Sequence, residues 1–470
     1  MSRGHWARRL QSRGRAIALA LGLALPGTLA AQPAQTSVTL TLPQARAAAL
    51  AAAQHGDAET VRLLTFGLKQ AGAADGQMHY LLARAEMDLG RPVPALDAAR
   101  TSYRLAGSKR QRFDAAQLAA AAAQAAGRST TAQLWLRRVY QNTDNPADRK
   151  AIARDYRILR AINPFSFQMA ASVAPSSNVN NGSGSQFNII DGVPLVGVLS
   201  PTAQALSGLV YSADLSLGYR LGELRKDRRL TAVARLYTKQ VHLSDSARAK
   251  APTARDSDFA LILAEAGLRL ATSAEDGTRL GGGLIAGQSW YGGSRYFGFF
   301  RGEASWSRRL GQSTGIGVAG YFERRDYDAS PTTENLAQIG LWASQALPDG
   351  SQLGLRLTYV NSNLTGKTRD SHSLSARLDW SPEEKIGPAH LTLGVNASYA
   401  NYPDYMVGFI VVPGGRQDKT IGVHARAVFD DFGYAGFVPT MDIGLSRTTS
   451  NVSRFETRTF SVGFGIRSAF

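Results

Sequence analysis

From residue 163 to the end of the chain, apolar and polar side chains alternate. The final segment shows the pattern most simply, because Phe460, Val462, Phe464, Ile466 and Phe470 alternate with small or polar residues. Successive side chains of a β-strand point to opposite faces, so the pattern predicts strands with one apolar and one polar face. Such strands suit either a soluble β-sandwich or a membrane barrel.

Strand length and strand number favour the barrel. Most of the alternating segments are ten residues or longer, whereas strands of soluble domains average about five or six residues. A tilted strand needs about ten residues to cross a membrane. An open sheet edge in lipid leaves backbone groups unpaired at several kcal/mol each, so the strands have to close. Residues 163–470 are therefore predicted to form a 14-stranded antiparallel transmembrane β-barrel.

The fourteen predicted strands are Phe165–Ala174, Ala205–Leu221, Arg228–Leu243, Asp256–Ala271, Thr278–Tyr291, Arg295–Leu310, Ser313–Tyr327, Glu334–Leu347, Gln352–Leu364, Arg369–Trp380, His390–Tyr402, Arg416–Asp430, Phe437–Thr449 and Phe455–Phe470. The even-numbered connections are short, as at Thr272–Gly277 and Pro348–Ser351, whereas several odd-numbered ones are long, as at Pro175–Gln204. Short turns of outer-membrane barrels face the periplasm and long loops face outside. We therefore expect the N-terminal domain to be periplasmic, in the outer membrane of a Gram-negative cell.

Residues 37–162 change to an Ala-, Leu-, Gln- and Arg-rich composition with helical spacing. A unit recurs in which a helix ends at a glycine, and a small or branched residue follows five positions later in the next helix. The three copies are Gly56 with Val61, Gly90 with Ala95, and Gly127 with Ala132. A period near 34 with this layout resembles tetratricopeptide (TPR) repeats. The alternative is an irregular Ala-rich helical bundle.

The concave face of such a repeat array usually binds a peptide or a protein. Candidates for that face are Tyr80, Arg84, Tyr103, Trp135 and Arg138, all of which suit the core or a solvated face equally well. Asn163-Pro164 ends the helical pattern, because proline disfavours helical geometry in the residue before it. The boundary between the two domains is thus predicted at residues 162 and 163.

Residues 1–31 have the features of a secretory signal peptide. Five arginines precede an apolar stretch over residues 16–25, and small residues at Thr28–Ala31 provide a cleavage site. The chain has no cysteine, which excludes disulfides and thiolate metal sites. Its formal net charge of +17 falls by five when the segment is removed, so the mature protein remains basic. In an exported protein this favours anionic lipid headgroups and acidic partners over nucleic acid.

The inward face of the predicted strands carries charges of both signs. The residues are Asp214, Glu265, Arg269, Arg301, Glu303, Arg356, Arg377, Asp379, Arg426 and Asp442. Such a lining is expected to pair internally and stiffen the wall. His424 is the one histidine placed clearly on this face, and no Ser–His–Asp order or metal-ligand spacing surrounds it. We therefore expect no enzymatic activity, no cofactor and no metal.

The junction between the two domains contains the most specific motif. Asn163, Pro164 and Phe165 open the barrel, and Pro175, Ser177, Asn178, Asn180 and Asn181 follow the first strand. With the signal peptide, short helical array and fourteen strands, this motif resembles the surface lipoprotein assembly modulator (Slam-type, type XI secretion) family of outer-membrane proteins. Ser and Asn at these positions are also suited to hydrogen bonding within a turn, so the motif either fixes the loop or contacts cargo.

The resemblance implies export of a specific protein cargo, either a lipoprotein or a soluble secreted protein, across the outer membrane. The cargo would be encoded nearby and engaged by the helical domain. Other expected partners are outer-membrane lipids and the barrel assembly machinery, which would recognise the alternating C-terminal strand from Phe460 to Phe470. The alternative is a polysaccharide export porin with a periplasmic TPR domain, since that class also joins helical repeats to a barrel.

Overall fold

The computed structural model describes residues 39–194, 196–225, 227–365, 370–434 and 437–468. The predicted signal peptide and Phe470 lie outside these ranges. The N-terminal domain consists of seven helices in the described part of the chain. They are α1 (Leu42–His55), α2 (Ala58–Gln70), α3 (Gly76–Asp88), α4 (Pro92–Leu105), α5 (Lys109–Ala125), α6 (Ser129–Gln141) and α7 (Pro146–Ile162).

Helices α1 to α6 form three hairpins with the same turn. Gly56, Gly90 and Gly127 each have a positive φ, between 69° and 75°, which glycine adopts at no steric cost. The residue after each glycine donates its backbone N–H to a carbonyl five positions back, at Ala52, Glu86 and Ala123 respectively. Such bonds satisfy carbonyls that the end of a helix leaves free. The predicted repeat unit is confirmed in all three copies.

The hairpins pack closely because the residues between them are small. Val61, Ala95 and Ala132, the residues five positions after the glycines, are buried with at most 2 % of their surface exposed. Helix α5 buries six further alanines against its neighbours. Among the described residues, no helix is both long and apolar enough to cross a membrane.

Fourteen antiparallel strands close into a barrel, as predicted. They are β1 (Phe165–Ser176), β2 (Gly208–Arg225), β3 (Arg228–Leu243), β4 (Leu261–Ser273), β5 (Arg279–Tyr291), β6 (Ser294–Leu310), β7 (Thr314–Tyr327), β8 (Thr333–Ala346), β9 (Gln352–Leu364), β10 (Ser371–Ser381), β11 (His390–Tyr402), β12 (Arg416–Val428), β13 (Phe437–Ser450) and β14 (Thr457–Ser468). Each strand pairs with its neighbours in the chain, and β14 pairs with β1.

The bounds of β4 differ from the prediction. The segment expected to begin at Asp256 forms a 3₁₀ turn over Asp256–Phe259, and the strand starts at Leu261. The Asp256 carboxylate accepts hydrogen bonds from the Leu243 backbone N–H and the Arg248 guanidinium, so it fastens the loop to the end of β3. Alternation could not reveal this, because the polar positions of a strand and of such a turn have similar composition.

The two faces of the barrel follow the alternation. Leu284, Phe322, Leu341, Ile421 and Phe464 are large apolar residues of the outer face, and each has about half or more of its surface exposed. Exposed aromatic residues, including Tyr211, Tyr219, Trp380 and Tyr399, accompany this apolar surface. An outward apolar band with aromatic girdles is the surface that a bilayer requires of a spanning barrel.

The seam between β1 and β14 has fewer paired residues than any other pair of barrel strands in the described part of the chain. Within the described residues it runs from Ala170 opposite Arg467 to Val173 opposite Phe464, with one further pair at Ser176 and Ser461. By contrast, β1 pairs with β2 along its whole length, from Phe165 to Ser176. Among the described residues, the first part of β1, from Phe165 to Met169, is therefore paired mainly with β2.

The barrel has two different ends. The even-numbered connections are short turns, and we call this end the short-turn end. The long segments after β1, β3 and β11 lie at the opposite end, called here the long-loop end. Helix α7 leads directly into β1, and the Arg220 guanidinium donates a hydrogen bond to the Ala161 carbonyl, so the helical domain lies at the short-turn end.

Candidate functional site

The start of the barrel is fixed to the helical domain by Asn163. This residue is 4 % exposed, and its Nδ2 donates hydrogen bonds to Gln133 Oε1 at 2.9 Å and to Thr130 Oγ1 at 3.1 Å. Its Oδ1 accepts a hydrogen bond from the Phe165 backbone N–H at 3.1 Å. Between these, the Pro164 carbonyl accepts a hydrogen bond from the Arg220 backbone N–H. The first half of the junction motif is thus a joint between α6, α7 and the first two strands.

The second half of the motif begins where β1 leaves the sheet. Pro175 is still paired opposite Leu209 of β2, and Ser177 extends the contact of β1 with β14. The Ser177 backbone N–H donates to the Phe460 carbonyl, and the Ser177 hydroxyl accepts from the Phe460 N–H at 3.0 Å. One serine therefore prolongs the seam beyond its last ladder pair.

The asparagines of the motif fold the loop that follows. Asn178 is buried, and its amide exchanges two hydrogen bonds with the backbone of Gly182, at 2.8 and 2.9 Å. Asn180 Nδ2 donates to the Gln204 carbonyl, and its Oδ1 accepts from the Leu206 N–H. Asn181 has a φ of 56°, which asparagine tolerates better than most residues. These contacts are those of a loop-fixing motif, and a contact of the same residues with cargo stays a prediction.

The loop after β1 lies over the long-loop end of the barrel. Ser183 and Gly184 hydrogen bond to the backbone of Ser453 and Glu456 in the loop between β13 and β14. Ile190, Val412 and Val452 form a small apolar core that unites this loop with those after β11 and β13. Lys239 of β3 donates a hydrogen bond to the Val179 carbonyl at 2.9 Å. Together the three loops form a cap.

The predicted inward charges form ion pairs, with the exception of Arg356, which is exposed and has no ion pair among the described residues. Ion pairs join residues of different strands at Arg235 and Asp214, Arg269 and Glu303, Arg301 and Glu265, and Arg426 and Asp442. The pair of Arg377 and Asp379 lies within β10. Four of the five pairs thus bridge different strands, which is the expected way for a polar lining to stiffen a barrel wall.

The sequence did not predict a larger network of ion pairs on β6, β7 and β8. Glu323 is 1 % exposed and contacts both Arg301, at 2.6 Å, and Arg325. Arg325 in turn contacts Glu334 at 3.0 Å, and the Glu334 carboxylate also accepts a hydrogen bond from Tyr327. The spacing of Glu323, Arg325 and Tyr327 does place the three on one strand face, so a sequence signal was present. Their burial depends on partners from other strands.

His424 is the residue that most resembles a catalytic group. Its Nε2 lies 2.8 Å from Asp379 Oδ1 and 2.6 Å from Arg377 Nη2. Gly394 of β11 leaves room for the ring, because a Cβ there would lie 2.2 Å from His424 Cε1. The described residues contain no cluster of three or more His, Asp or Glu side chains able to hold a metal ion. The absence of enzymatic activity and of cofactors stays a prediction.

The C-terminal strand has the expected faces. Phe460, Phe464 and Ile466 are outward residues with 42–53 % of their surface exposed, and Val462 is partly buried. Phe470, which completes the predicted assembly signal, lies outside the described residues. Recognition of this strand by the assembly machinery therefore stays a prediction.

Three of the five binding candidates of the helical domain, Tyr103, Trp135 and Arg138, contact one another around the Trp135 ring. Trp135 is 5 % exposed, its ring meets Tyr103 edge-on at 5.3 Å, and the Arg138 guanidinium lies 4.3 Å above it. Trp135 thus belongs to the packed core of the domain.

A cavity of about 410 Å³ lies where the helical domain meets the lumen. Arg160 of α7 lines it together with Ser166 and Gln168 of β1 and the inward arginines Arg235, Arg269 and Arg301. The helical array therefore contributes a side chain to the interior of the barrel at the short-turn end.

The closed ring of long strands, with an apolar outer face and a polar lumen, determines the class of protein. The chain is an outer-membrane β-barrel protein. No family model matches the sequence, and no curated protein matches it.

Comparison with solved structures gives outer-membrane channels and porins. A bacterial polysaccharide outer membrane secretin is 10 % identical with a TM-score of 0.33, over 64 % of this chain and 98 % of that one. A BenF-like porin from Pseudomonas fluorescens Pf-5 is 9 % identical with a TM-score of 0.33, over 65 % and 99 %. The Acinetobacter baumannii protein OccAB4 is 10 % identical with a TM-score of 0.33, over 65 % and 98 %. At such scores the likeness does not distinguish classes of transport.

Proposed function

We propose that this protein is an outer-membrane translocator that exports or displays a specific protein cargo, in the manner of the Slam-type family. The cargo is a lipoprotein or a soluble secreted protein, and the helical domain receives it in the periplasm. The barrel then provides its route across the outer membrane.

The observation that carries the proposal is the shared cavity at the short-turn end. Arg160 belongs to the last helix of the array, yet it lines the same space as lumen residues of β3, β4 and β6. A helical repeat array that opens into a barrel lumen is suited to hand over an extended chain, because such arrays bind peptides along their surface. The fixed joint at Asn163 keeps the two domains in this arrangement.

The orientation supports the same route. Short turns of outer-membrane barrels face the periplasm, and the helical domain lies at that end. A cargo delivered by periplasmic export would therefore meet the helical domain before the lumen, and the cap of three loops would be the last element that it passes.

Co-expression of this protein with the product of an adjacent gene tests the proposal. The full chain and its neighbour are produced in a Gram-negative host, and surface exposure of the neighbour is measured by antibody binding and protease shaving of intact cells. We expect surface exposure with this protein and not with an unrelated porin produced at the same level. If the neighbour stays periplasmic while the barrel is correctly inserted, the proposal is wrong.

A deletion experiment distinguishes the polysaccharide alternative. Polymer in the medium is measured in a natural host before and after deletion of the gene. Loss of polymer with unchanged surface proteins would replace protein export by polysaccharide export as the function.

A further inference from the structure

In the wall of the cavity at the short-turn end, each paired arginine is more exposed than the carboxylates that it contacts. Arg269 is 49 % exposed, whereas its partner Glu303 is 23 % exposed. Arg301 is 18 % exposed, and its two partners Glu265 and Glu323 are 8 % and 1 % exposed. Carboxylates outnumber arginines in these pairs, but the residues that line the cavity include four arginines, at positions 160, 235, 269 and 301, and one carboxylate, Glu265.

Arg160 adds a positive charge that belongs to none of these pairs. It has no ion pair within the part of the chain that the structure describes, and it is partly buried at the edge of the cavity. On the same helix, Arg157 is exposed one turn earlier. The entrance from the helical domain to the lumen is therefore more positive than the wall beyond it, and low-dielectric walls strengthen the field of such a site.

The inward face around the mouth continues this charge. Arg279 at the start of β5 and Arg309 at the end of β6 fall on the same face as Arg301, by strand alternation, and both are exposed. Neither has an ion pair among the described residues. The basic surface thus extends from the cavity to the rim of the barrel at the short-turn end.

We propose that this cavity binds a carboxylate-rich, extended segment of the cargo polypeptide, which makes it an acceptor site for an acidic targeting or leading sequence. The inference rests on the proposed function and specifies its partner. A volume of about 410 Å³ is that of a small-ligand pocket, so it takes a few residues of an extended chain and no folded domain. Guanidinium groups bind carboxylates in a bidentate manner, as Arg235 does with Asp214 on this wall.

Binding of a defined peptide to the purified mature protein tests this site. The probe is a fluorescent peptide of alternating Glu and Ser, and the matched peptide carries Gln in place of Glu. Fluorescence anisotropy in detergent micelles is expected to show binding of the Glu peptide that weakens as salt rises, and little binding of the Gln peptide.

Arg160→Glu and Arg160→Gln are the decisive variants. We expect the affinity for the Glu peptide to fall for both variants, because each loses a charge-assisted hydrogen bond. The loss should be about tenfold or more for Arg160→Glu, which also repels the peptide, and smaller for Arg160→Gln. Arg458→Glu makes the same change of charge at the long-loop end and should leave the affinity unchanged. Heat-modifiable gel mobility verifies that each variant is folded.

The outcomes separate this inference from the proposed function. Equal affinity for the Glu and Gln peptides, or equal loss in the Arg160 and Arg458 variants, overturns the acceptor site even if cargo is exported. Selective, Arg160-dependent binding supports the site, and if the neighbouring protein then fails to reach the surface, the proposed function is wrong while the binding site for acidic segments stands.

Discussion

Asn163 and Gln133 are joined by a buried hydrogen bond of 2.9 Å, from Nδ2 to Oε1, between the beginning of the barrel and helix α6. The same asparagine donates a hydrogen bond to Thr130 and accepts one from the backbone N–H of Phe165. A single side chain thus connects two domains that have separate cores, and it is the first residue of the family-like motif.

Replacing Asn163 with Ala is expected to loosen this joint. The change leaves the Gln133 amide and the Phe165 N–H without their partner, at a cost of about 1–3 kcal/mol. Limited proteolysis of the folded protein should then cleave between α7 and β1 at lower protease concentration. Asn142→Ala, at the end of α6 away from the barrel, serves as the control, and equal sensitivity of both variants would contradict the prediction.

Replacing Glu323 with Ala should destabilise the barrel strongly. The carboxylate is almost fully buried between Arg301 and Arg325. Removing it takes away the charge that separates the two guanidinium groups, which then keep only one carboxylate each, Glu265 and Glu334. Loss of one partner from a buried ion pair costs about 3–5 kcal/mol. Asp442→Ala disrupts a half-exposed pair with Arg426 and should cost about 1 kcal/mol or less. The measurement is the urea midpoint of unfolding in micelles, and similar midpoints would count against the network.

Asn180→Ala is expected to open the cap at the long-loop end. Asn180 joins both sides of the loop after β1 through Gln204 and Leu206. Because the chain lacks cysteine, a single cysteine at Ser398, on the inward face of β11, reports access from outside by its maleimide labelling rate. We expect faster labelling with Asn180→Ala than with Ser200→Ala, which removes an exposed hydroxyl of the same loop. Equal rates would mean that Asn180 does not hold the cap closed.

Phe464→Arg tests the orientation of the last strand. Phe464 is 53 % exposed on the outer face near the middle of β14, where an arginine costs about 2–4 kcal/mol in lipid. The yield of folded protein in the outer membrane should fall. Thr459→Arg puts the same side chain on the inward face of the strand and should insert nearly normally. Equal yields would show that the two faces are wrongly assigned.

The loop after β3 is expected to lose its attachment in acid. Burial alone would raise the pKa of the Asp256 carboxyl, but hydrogen bonds from Leu243, Arg248 and His242 outweigh it and hold the pKa below its ordinary value. A lowered pKa in the folded state stabilises the loop above the unfolded pKa, and this stabilisation is lost as pH falls through the folded value. Proteolysis of this loop should therefore increase toward acidic pH. Asp256→Asn should be more sensitive at neutral pH and show a flatter pH profile.

The sequence predicted the barrel well because alternation is a local property. Each strand, such as Phe460 to Ile466, reports its own two faces without knowledge of its neighbours. The three helical hairpins were also predictable, since Gly56, Gly90 and Gly127 are required by the turn itself.

The remaining features depend on contacts that are distant in sequence. Ser183 bonds to Ser453 across most of the barrel sequence, and no local pattern connects the two residues. The burial of Glu323 likewise depends on Arg301 from the preceding strand. The cavity that contains Arg160 exists only because a helix and the strands of the barrel wall converge, and for that reason no pattern in the sequence indicates it.

The hydrogen bonds between Ser177 and Phe460 have a consequence for how the barrel opens. They continue the short seam of β1 and β14 into the loop that bridges the long-loop end, so the cap and the seam share one set of bonds. Lifting that loop removes the outermost bonds of the seam, and separating the two strands releases the base of the loop. The mouth at the long-loop end and the membrane-facing wall are therefore thermodynamically coupled, and displacing one lowers the free energy needed to part the other.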